Sequence, residues 1–130
     1  MSKYEEQIIK VLQKEGLPFE REKTFEDLKH GKFRYDFYVP SLRMLIECDG
    51  EQHFNYISKF YKTRKDFLSA QERDRKKNAY ALAHKYYLYR IPFYDIPNIT
   101  SLLQILNQKY KVTSIYHNDF LKYQNSNIKK

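Results

Sequence analysis

The chain has 130 residues, of which 42% are hydrophobic and 17% aromatic, so we expect one folded domain rather than a disordered chain. The 24 Lys and Arg against 16 Asp and Glu give a net charge of +8, which indicates a polyanionic partner, with nucleic acid ahead of an anionic membrane surface. No apolar run approaches the roughly 18 residues of a membrane-spanning helix, and residues 1–6 lack the apolar core of an export signal.

The first predicted element is a helix. Ser2 and Glu5 have the spacing of a capping box, and the helix is expected to run to about Glu15 and end at Gly16. Glu5 precedes the apolar positions by three, four and seven residues, which places it on the buried stripe. That stripe consists of Ile8, Ile9 and Leu12.

A β-hairpin is the clearest pattern in the chain. Residues 33–39 form one predicted strand, residues 40–43 the turn and residues 44–49 the return strand. Before the hairpin, residues 19–25 are predicted as an edge strand and residues 26–32 as a loop.

After the hairpin, residues 50–68 read as a long basic and aromatic loop or a broken helix. Ser69 is then expected to cap a helix over residues 70–86. Residues 87–91 are predicted as a strand, and residues 100–110 as a last helix.

This order of elements predicts one α/β domain in which helices flank a central mixed β-sheet. We assign that domain to residues 1–112. Residues 113–130 are expected to form a polar C-terminal extension that is flexible at its end.

The hairpin predicts a pair of facing acids. If Val39 pairs with Met44 across the turn, then Asp36 lies opposite Glu47, with Cβ atoms about 4.5–5.5 Å apart. Two like charges at that distance repel, so either one acid keeps a proton or a cation lies between them.

Mg²⁺ or Mn²⁺ suits such a pair, because both ions prefer carboxylate, carbonyl and water oxygens. The backbone carbonyl of Cys48 would be a further ligand. The alternative is a solvated strand face whose charges are balanced by Arg34 or Arg43.

A histidine follows the second acid. Gly50 breaks the strand and allows His53 to return toward the carboxylates, where it would act as a general base or would orient water. In the following helix, Asp74 and Lys77 share one face, so Asp74 could orient His53 and Lys77 could hold a phosphate. The alternatives are a structural histidine and a solvated charged face.

Residues 34–39 and 44–54, the latter being the most specific part, resemble PD-(D/E)xK nucleases, and in particular the EDxHD branch of very-short-patch-repair and phage homing endonucleases. The resemblance covers about residues 4 to 93. It implies a restriction-endonuclease-like fold and an Mg²⁺- or Mn²⁺-dependent DNA endonuclease, for which a phage genome is one expected source. The catalytic residues that match this pattern are Glu5, Asp36, His53 and Asp74. Glu47, on the strand of the second acid, is the fifth expected site residue, either as a metal ligand or as a structural partner.

The mechanism expected for such an endonuclease adds further contacts. The metal would be bound by Asp36, Glu47 and the Cys48 carbonyl. Backbone phosphates would be bound by a basic set consisting of Arg64, Lys65, Arg73, Arg75 and Lys77. The chain departs from the wider superfamily at Asp49, where a lysine is expected, so the lysine's role is empty or passes to His53 or Lys77.

DNA is the expected partner. The expected location is the cytoplasm, and for a phage-encoded chain this is the cytoplasm of the bacterial host. The single cysteine suits a reducing compartment. Cutting both strands calls for a homodimer, a partner protein or sequential nicks. Aromatic side chains that could stack on bases are Phe54, Tyr56 and Tyr61.

Two alternatives belong to other classes. The first is a non-catalytic nucleic-acid-binding module on a nuclease-like fold. The second is a zinc-stabilised protein that uses Cys48 and His53 with other histidines, but the chain has no spacing typical of a zinc site.

Overall fold

The computed structural model describes residues 2–53 and 61–119. Four strands form one mixed β-sheet, namely β1 (Glu20–Thr24), β2 (Arg34–Val39), β3 (Met44–Asp49) and β4 (Tyr87–Pro92). They lie side by side in the order β1-β2-β3-β4. The pairs β1–β2 and β2–β3 are antiparallel, and β3–β4 is parallel. The predicted mixed α/β fold with a helix-flanked sheet is confirmed.

Helix α1 (Lys3–Lys14) covers one face of the sheet. The predicted capping box between Ser2 and Glu5 is present, and the chain leaves the helix through Gly16, whose φ of 67° is easily reached without a side chain. The helix buries Ile8, Val11 and Leu12 against the sheet residues Phe37 and Ile46, among others.

The opposite face is covered by α2 (Arg64–Ala83), whose Ala81 packs with Leu45 and Leu88 of the sheet. Successive side chains of β3 therefore point to opposite faces of the sheet, with Ile46 packed under α1 and Leu45 under α2, as the alternation of a strand requires. Because both faces are covered, β3 is buried along nearly its whole length.

The hairpin has the predicted register. Val39 pairs with Met44, and Phe37 pairs with Ile46. A short 3₁₀ turn over Pro40–Leu42 joins the strands, and Arg43 closes it with a φ of 51°. Counting two residues outward along each strand from Tyr38 and Leu45 brings Asp36 to the level of Glu47.

Two helix predictions were wrong in their bounds. Helix α2 begins at Arg64 rather than residue 70, because the Thr63 side chain caps it and Phe67 is buried in its first two turns. The last helix, α3 (Leu102–Ile105), is a single turn rather than residues 100–110. The chain beyond it turns back to the sheet, where the Val112 N–H donates to the Leu88 carbonyl at 2.8 Å.

The predicted C-terminal extension packs on the domain as far as it is described. The Asn78 side chain of α2 donates to the Ile115 carbonyl at 3.0 Å, and Arg75 pairs with Asp119 at 2.7 Å. Residues 120–130 lie outside the described residues. Within the described part of the chain, no helix is long and apolar enough to cross a membrane.

Truncating Leu45 to Ala is expected to cost about 2–5 kcal/mol of unfolding free energy, because this fully buried side chain joins the sheet to α2. Urea unfolding measures the loss. Leu103→Ala is the control, since Leu103 is 81% exposed and should change stability by less than about 0.5 kcal/mol. Equal losses in the two variants would contradict this assignment of the core.

Candidate active site

One cavity of about 680 Å³ lies where β2, β3, α1 and α2 meet. It is lined by every predicted catalytic residue, namely Glu5, Asp36, Glu47, His53 and Asp74, and also by Cys48. The sheet therefore brings together side chains that are up to 69 positions apart in the sequence, as the hairpin and the helix face predicted.

Asp36 and Glu47 form the predicted acidic pair on adjacent strands. The Asp36 carboxylate accepts a hydrogen bond of 2.7 Å from the Cys48 backbone N–H, which fixes it against β3. Burial, and then the negative charge of Glu47, raise the pKa of Asp36 to about 8. Near neutral pH the pair therefore holds a proton that a cation could replace.

Lys77 reaches the same pair from α2. Its ammonium group lies 2.5 Å from Glu47 Oε1, and the two side chains are only 8% and 5% exposed. The Tyr35 hydroxyl donates to the Lys77 carbonyl at 2.8 Å, and the Tyr35 ring centroid lies 5.1 Å from the ammonium. Of the two residues proposed for the lysine's role, Lys77 therefore meets the acidic pair.

His53 is held by Asp74. After β3 ends, a 3₁₀ turn forms in which the His53 N–H donates to the Gly50 carbonyl at 3.0 Å. The ring Nδ1 lies 2.8 Å from Asp74 Oδ2 on α2, as the helix face suggested. This bond leaves Nε2 as the nitrogen that can exchange a proton with a ligand.

The surroundings of His53 favour its charged form. Burial opposes its charge, but the carboxylates of Asp49 and Asp74 outweigh burial and raise the pKa of His53 to about 9. Of the two predicted roles, orienting a ligand by donating a hydrogen bond fits this state better than accepting a proton.

Arg90 is a component of the site that the sequence analysis missed. It is fully buried on β4, donates from Nη1 to Asp49 at 2.9 Å and from Nε to Asn78 at 2.7 Å, and lies 3.7 Å from Asp74. The available signal was a single arginine between the apolar residues of a predicted strand. A buried arginine requires charged partners, and these are Asp49 and Asp74.

The donor set fits a hard divalent cation. In residues 2–53 and 61–119 no three His, Cys, Asp or Glu side chains form a metal cage by themselves. Mg²⁺ typically uses one or two carboxylates and keeps several waters, which matches Asp36 and Glu47. Burial and the nearby carboxylates raise the pKa of the Cys48 thiol, so this residue would contribute its carbonyl and not a thiolate.

Glu5 lines the cavity from the first turn of α1, where it is half-buried. Its carboxylate pairs with Arg21 of β1 at 3.2 Å and also accepts from the Ser2 hydroxyl at 3.2 Å. Glu5 is thus already paired with Arg21 and Ser2, and it would have to exchange these partners to bind a cation.

The five predicted phosphate contacts are not equivalent. Arg73 is exposed and lines the cavity, whereas Lys77 is buried within it. Arg64 and Lys65 are exposed on the first turn of α2 and do not line the cavity. Arg75 is paired with Glu72 at 2.9 Å and with Asp119, so a phosphate would have to replace these partners.

Two exposed cations at the cavity, Lys32 and Arg34, were not predicted as phosphate contacts. Among the predicted stacking aromatics, Tyr61 packs on Phe67 with ring centroids 5.5 Å apart. Phe54 and Tyr56 lie outside the described residues.

Comparison with known proteins finds similarity to a viral protein. The uncharacterized protein 307L of Invertebrate iridescent virus 6 is 33% identical over 73 residues. These cover 53% of this chain and 37% of the viral protein, so the chain spans little more than a third of that relative's length. No protein-family model and no solved structure matches. The viral protein's name states no activity, so the function is argued from the site.

Without divalent metal, the protein is expected to lose stability as the pH rises from about 6.5 to about 9. The folded state raises the pKa of His53 from 6.5 to about 9, so its contribution is complete below pH 6.5 and is lost as the pH passes 9. Its size is about 3 kcal/mol. The raised pKa of Asp36 acts in the same direction up to about pH 8.

Urea unfolding at several pH values measures this loss. His53→Gln should flatten the slope between pH 6.5 and 9. His30→Gln, which changes a histidine side chain that is 88% exposed, should keep the wild-type slope. A wild-type slope in His53→Gln would contradict the role of the two carboxylates.

Proposed function

We propose that the protein is a metal-dependent DNA endonuclease that hydrolyses phosphodiester bonds. The observation that carries the proposal is the acidic pair of Asp36 and Glu47, which lies in one cavity with the His53–Asp74 pair and Lys77. Acids that could bind a cation, beside a protonated imidazole and an ammonium group, match the negative charge of a phosphodiester in its transition state.

Mg²⁺ or Mn²⁺ would be held by Asp36, Glu47 and the Cys48 carbonyl. When bound, the cation would neutralise charge on the scissile phosphate and lower the pKa of a coordinated water. Asp36 must lose its proton to bind the metal. The Cys48 N–H then stabilises the ionised carboxylate through the bond of 2.7 Å.

The remaining side chains position the substrate. His53, fixed through Nδ1 by Asp74, donates from Nε2 to an anionic oxygen. Lys77 forms an ion pair with Glu47 and so brings a positive charge to the acidic pair. Such placement supplies most of the catalysis in phosphoryl transfer, because the protein need form no covalent bond.

The cavity mouth suits a polyanion. Lys32 and Arg34 belong to the chain that enters and begins β2, and Arg73 comes from α2, so cations lie on two sides of the acids. Contacts of this kind give affinity for the DNA backbone without reading sequence. We place the enzyme in the cytoplasm. It would cut both strands as a homodimer or with a partner protein, or it would nick one strand at a time.

Plasmid DNA should be nicked or cut with Mg²⁺ or Mn²⁺ and left intact with EDTA. Asp36→Asn should reduce cleavage at least about 100-fold, because it removes the charge that binds the metal. The amide keeps an oxygen for the Cys48 N–H, so the fold is preserved. Gel assays under single-turnover conditions measure the rates.

The control is Glu20→Gln, which changes an exposed acid of β1 outside the cavity and should cleave at the wild-type rate. Undiminished cleavage by Asp36→Asn, or cleavage in EDTA, would reject the proposed site.

The competing function is a nucleic-acid-binding module without catalysis. It is favoured by the Lys77–Glu47 ion pair, which already supplies Glu47 with a cation. This alternative predicts DNA binding without cleavage under every metal condition, whereas the endonuclease proposal requires both.

DNA binding in EDTA should weaken about 40-fold between about 50 and 200 mM salt if Lys32, Arg34 and Arg73 each neutralise one phosphate. Fluorescence anisotropy measures the slope of affinity against salt. Arg73→Gln should lower that slope by about 0.9, and Lys10→Gln, on α1 and outside the cavity lining, should leave it unchanged. A response that is flat with salt would exclude this basic mouth as the DNA contact.

A further inference from the structure

Two carboxylates face the same ring nitrogen of His53. Nδ1 lies 2.8 Å from Asp74 Oδ2 and 3.7 Å from Asp49 Oδ1. The bond to Asp74 alone would fix the tautomer and the ring plane. Asp49, which is 1% exposed at the end of β3, therefore has a role that the proposed function does not use.

A buried guanidinium allows these acids to lie together. Arg90 on β4 has no solvent exposure, and its Nη1 lies 2.9 Å from Asp49 Oδ1 while its Nη2 lies 3.7 Å from Asp74 Oδ1. Two buried carboxylates repel each other, and a buried guanidinium without anions is unstable. Each group is thus tolerated because of the others.

With both carboxylates ionised, the charges of this set balance when His53 is protonated. Asp49 and Asp74 contribute two negative charges, and Arg90 contributes one positive charge. A protonated His53 supplies the second positive charge, whereas a neutral ring would leave one buried carboxylate charge without a partner. The groups come from β3, the turn after it, α2 and β4, so the fold assembles the set as a unit.

We propose that Asp49 is a positioning residue that, together with Asp74, holds the His53 imidazole protonated, and that Arg90 is a positioning residue that holds these two buried carboxylates in place. This deepens the proposed function, because His53 belongs to the same site and would meet a phosphate oxygen as a hydrogen-bond donor. The charged groups around His53 are Asp49 on β3, Asp74 on α2 and Arg90 on β4. Burial and the Arg90 charge lower the pKa of His53, but the two carboxylates outweigh them and raise it to about 9.

Long-range ¹H–¹⁵N NMR of the metal-free, DNA-free protein tests this inference directly. The spectrum separates the protonated ring from each neutral tautomer, and the other three histidines serve as internal references. In the wild type, both nitrogens of His53 should carry protons at pH 7. A neutral ring at pH 7 would overturn the proposal without the need for any variant.

Asp49→Asn should raise the acid dissociation constant of His53 at least tenfold, since it removes one of two facing charges and keeps the shape of the side chain. Asn78→Ser is the matched control. It removes a hydrogen bond from the same guanidinium but no charge, and should change the constant less than threefold. A His53 dissociation constant that is the same in wild type and Asp49→Asn would overturn the proposal.

The two proposals fail separately. If the spectra behave as expected and no DNA is cleaved, the endonuclease proposal fails and the positioning roles stand. If cleavage depends on Asp36 but His53 is neutral, only the positioning roles fail. In an active enzyme, the cleavage rate should decline at alkaline pH as His53 loses its proton. Asp49→Asn should shift this decline to a lower pH, at a proton concentration about tenfold higher, which a purely structural role would not do.

Discussion

Opposition of two acids across β2 and β3 is the constraint on which the rest of the site depends. The pairing of Val39 with Met44 sets it, because a shift of one residue would move Asp36 or Glu47 to the other face of the sheet. The pair is also buried, which raises the pKa of Asp36, so a cation bound between the two acids would stabilise their ionised forms. Lys77, His53 and the cavity mouth are arranged around this pair.

The site contains two charge systems of different character. Around His53, two carboxylates face the Arg90 guanidinium and the imidazole ring, so these four groups partner one another. Around Asp36, two acids face one ammonium group, so full ionisation leaves one negative charge without a partner. We infer that the first system is built for position and the second for binding a cation.

Local patterns predicted much of the fold and the acidic pair. The capping box of Ser2 and Glu5, the turn after Val39 and the alternation of β3 are all set by neighbours in sequence, and the structure has each of them. The sequence also predicts that Asp74 lies near His53, because the spacing along α2 defines a helix face and Gly50 marks the end of β3. The catalytic and metal-binding roles given to these residues stay predictions.

What was missed depends on distant contacts. Helix α2 begins early because Phe67 finds a buried place in the fold, which no local rule supplies. Arg90 is stable inside β4 only because Asp49 and Asp74, from two other elements, lie beside it. Lys77 points into the cavity because it forms an ion pair with Glu47 there. The pattern of charges along α2 gives no sign of which cations point to solvent and which are paired.

The central claim is that the pair of Asp36 and Glu47 binds a divalent cation, and Mn²⁺ titration by calorimetry in two buffers of different ionisation enthalpy tests it without DNA. Because the pKa of Asp36 is raised to about 8, binding at pH 7 should release close to one proton. The account predicts one Mn²⁺ site with this release in the wild type and none in Asp36→Asn. Equal Mn²⁺ binding by both proteins, or none by the wild type, would contradict it.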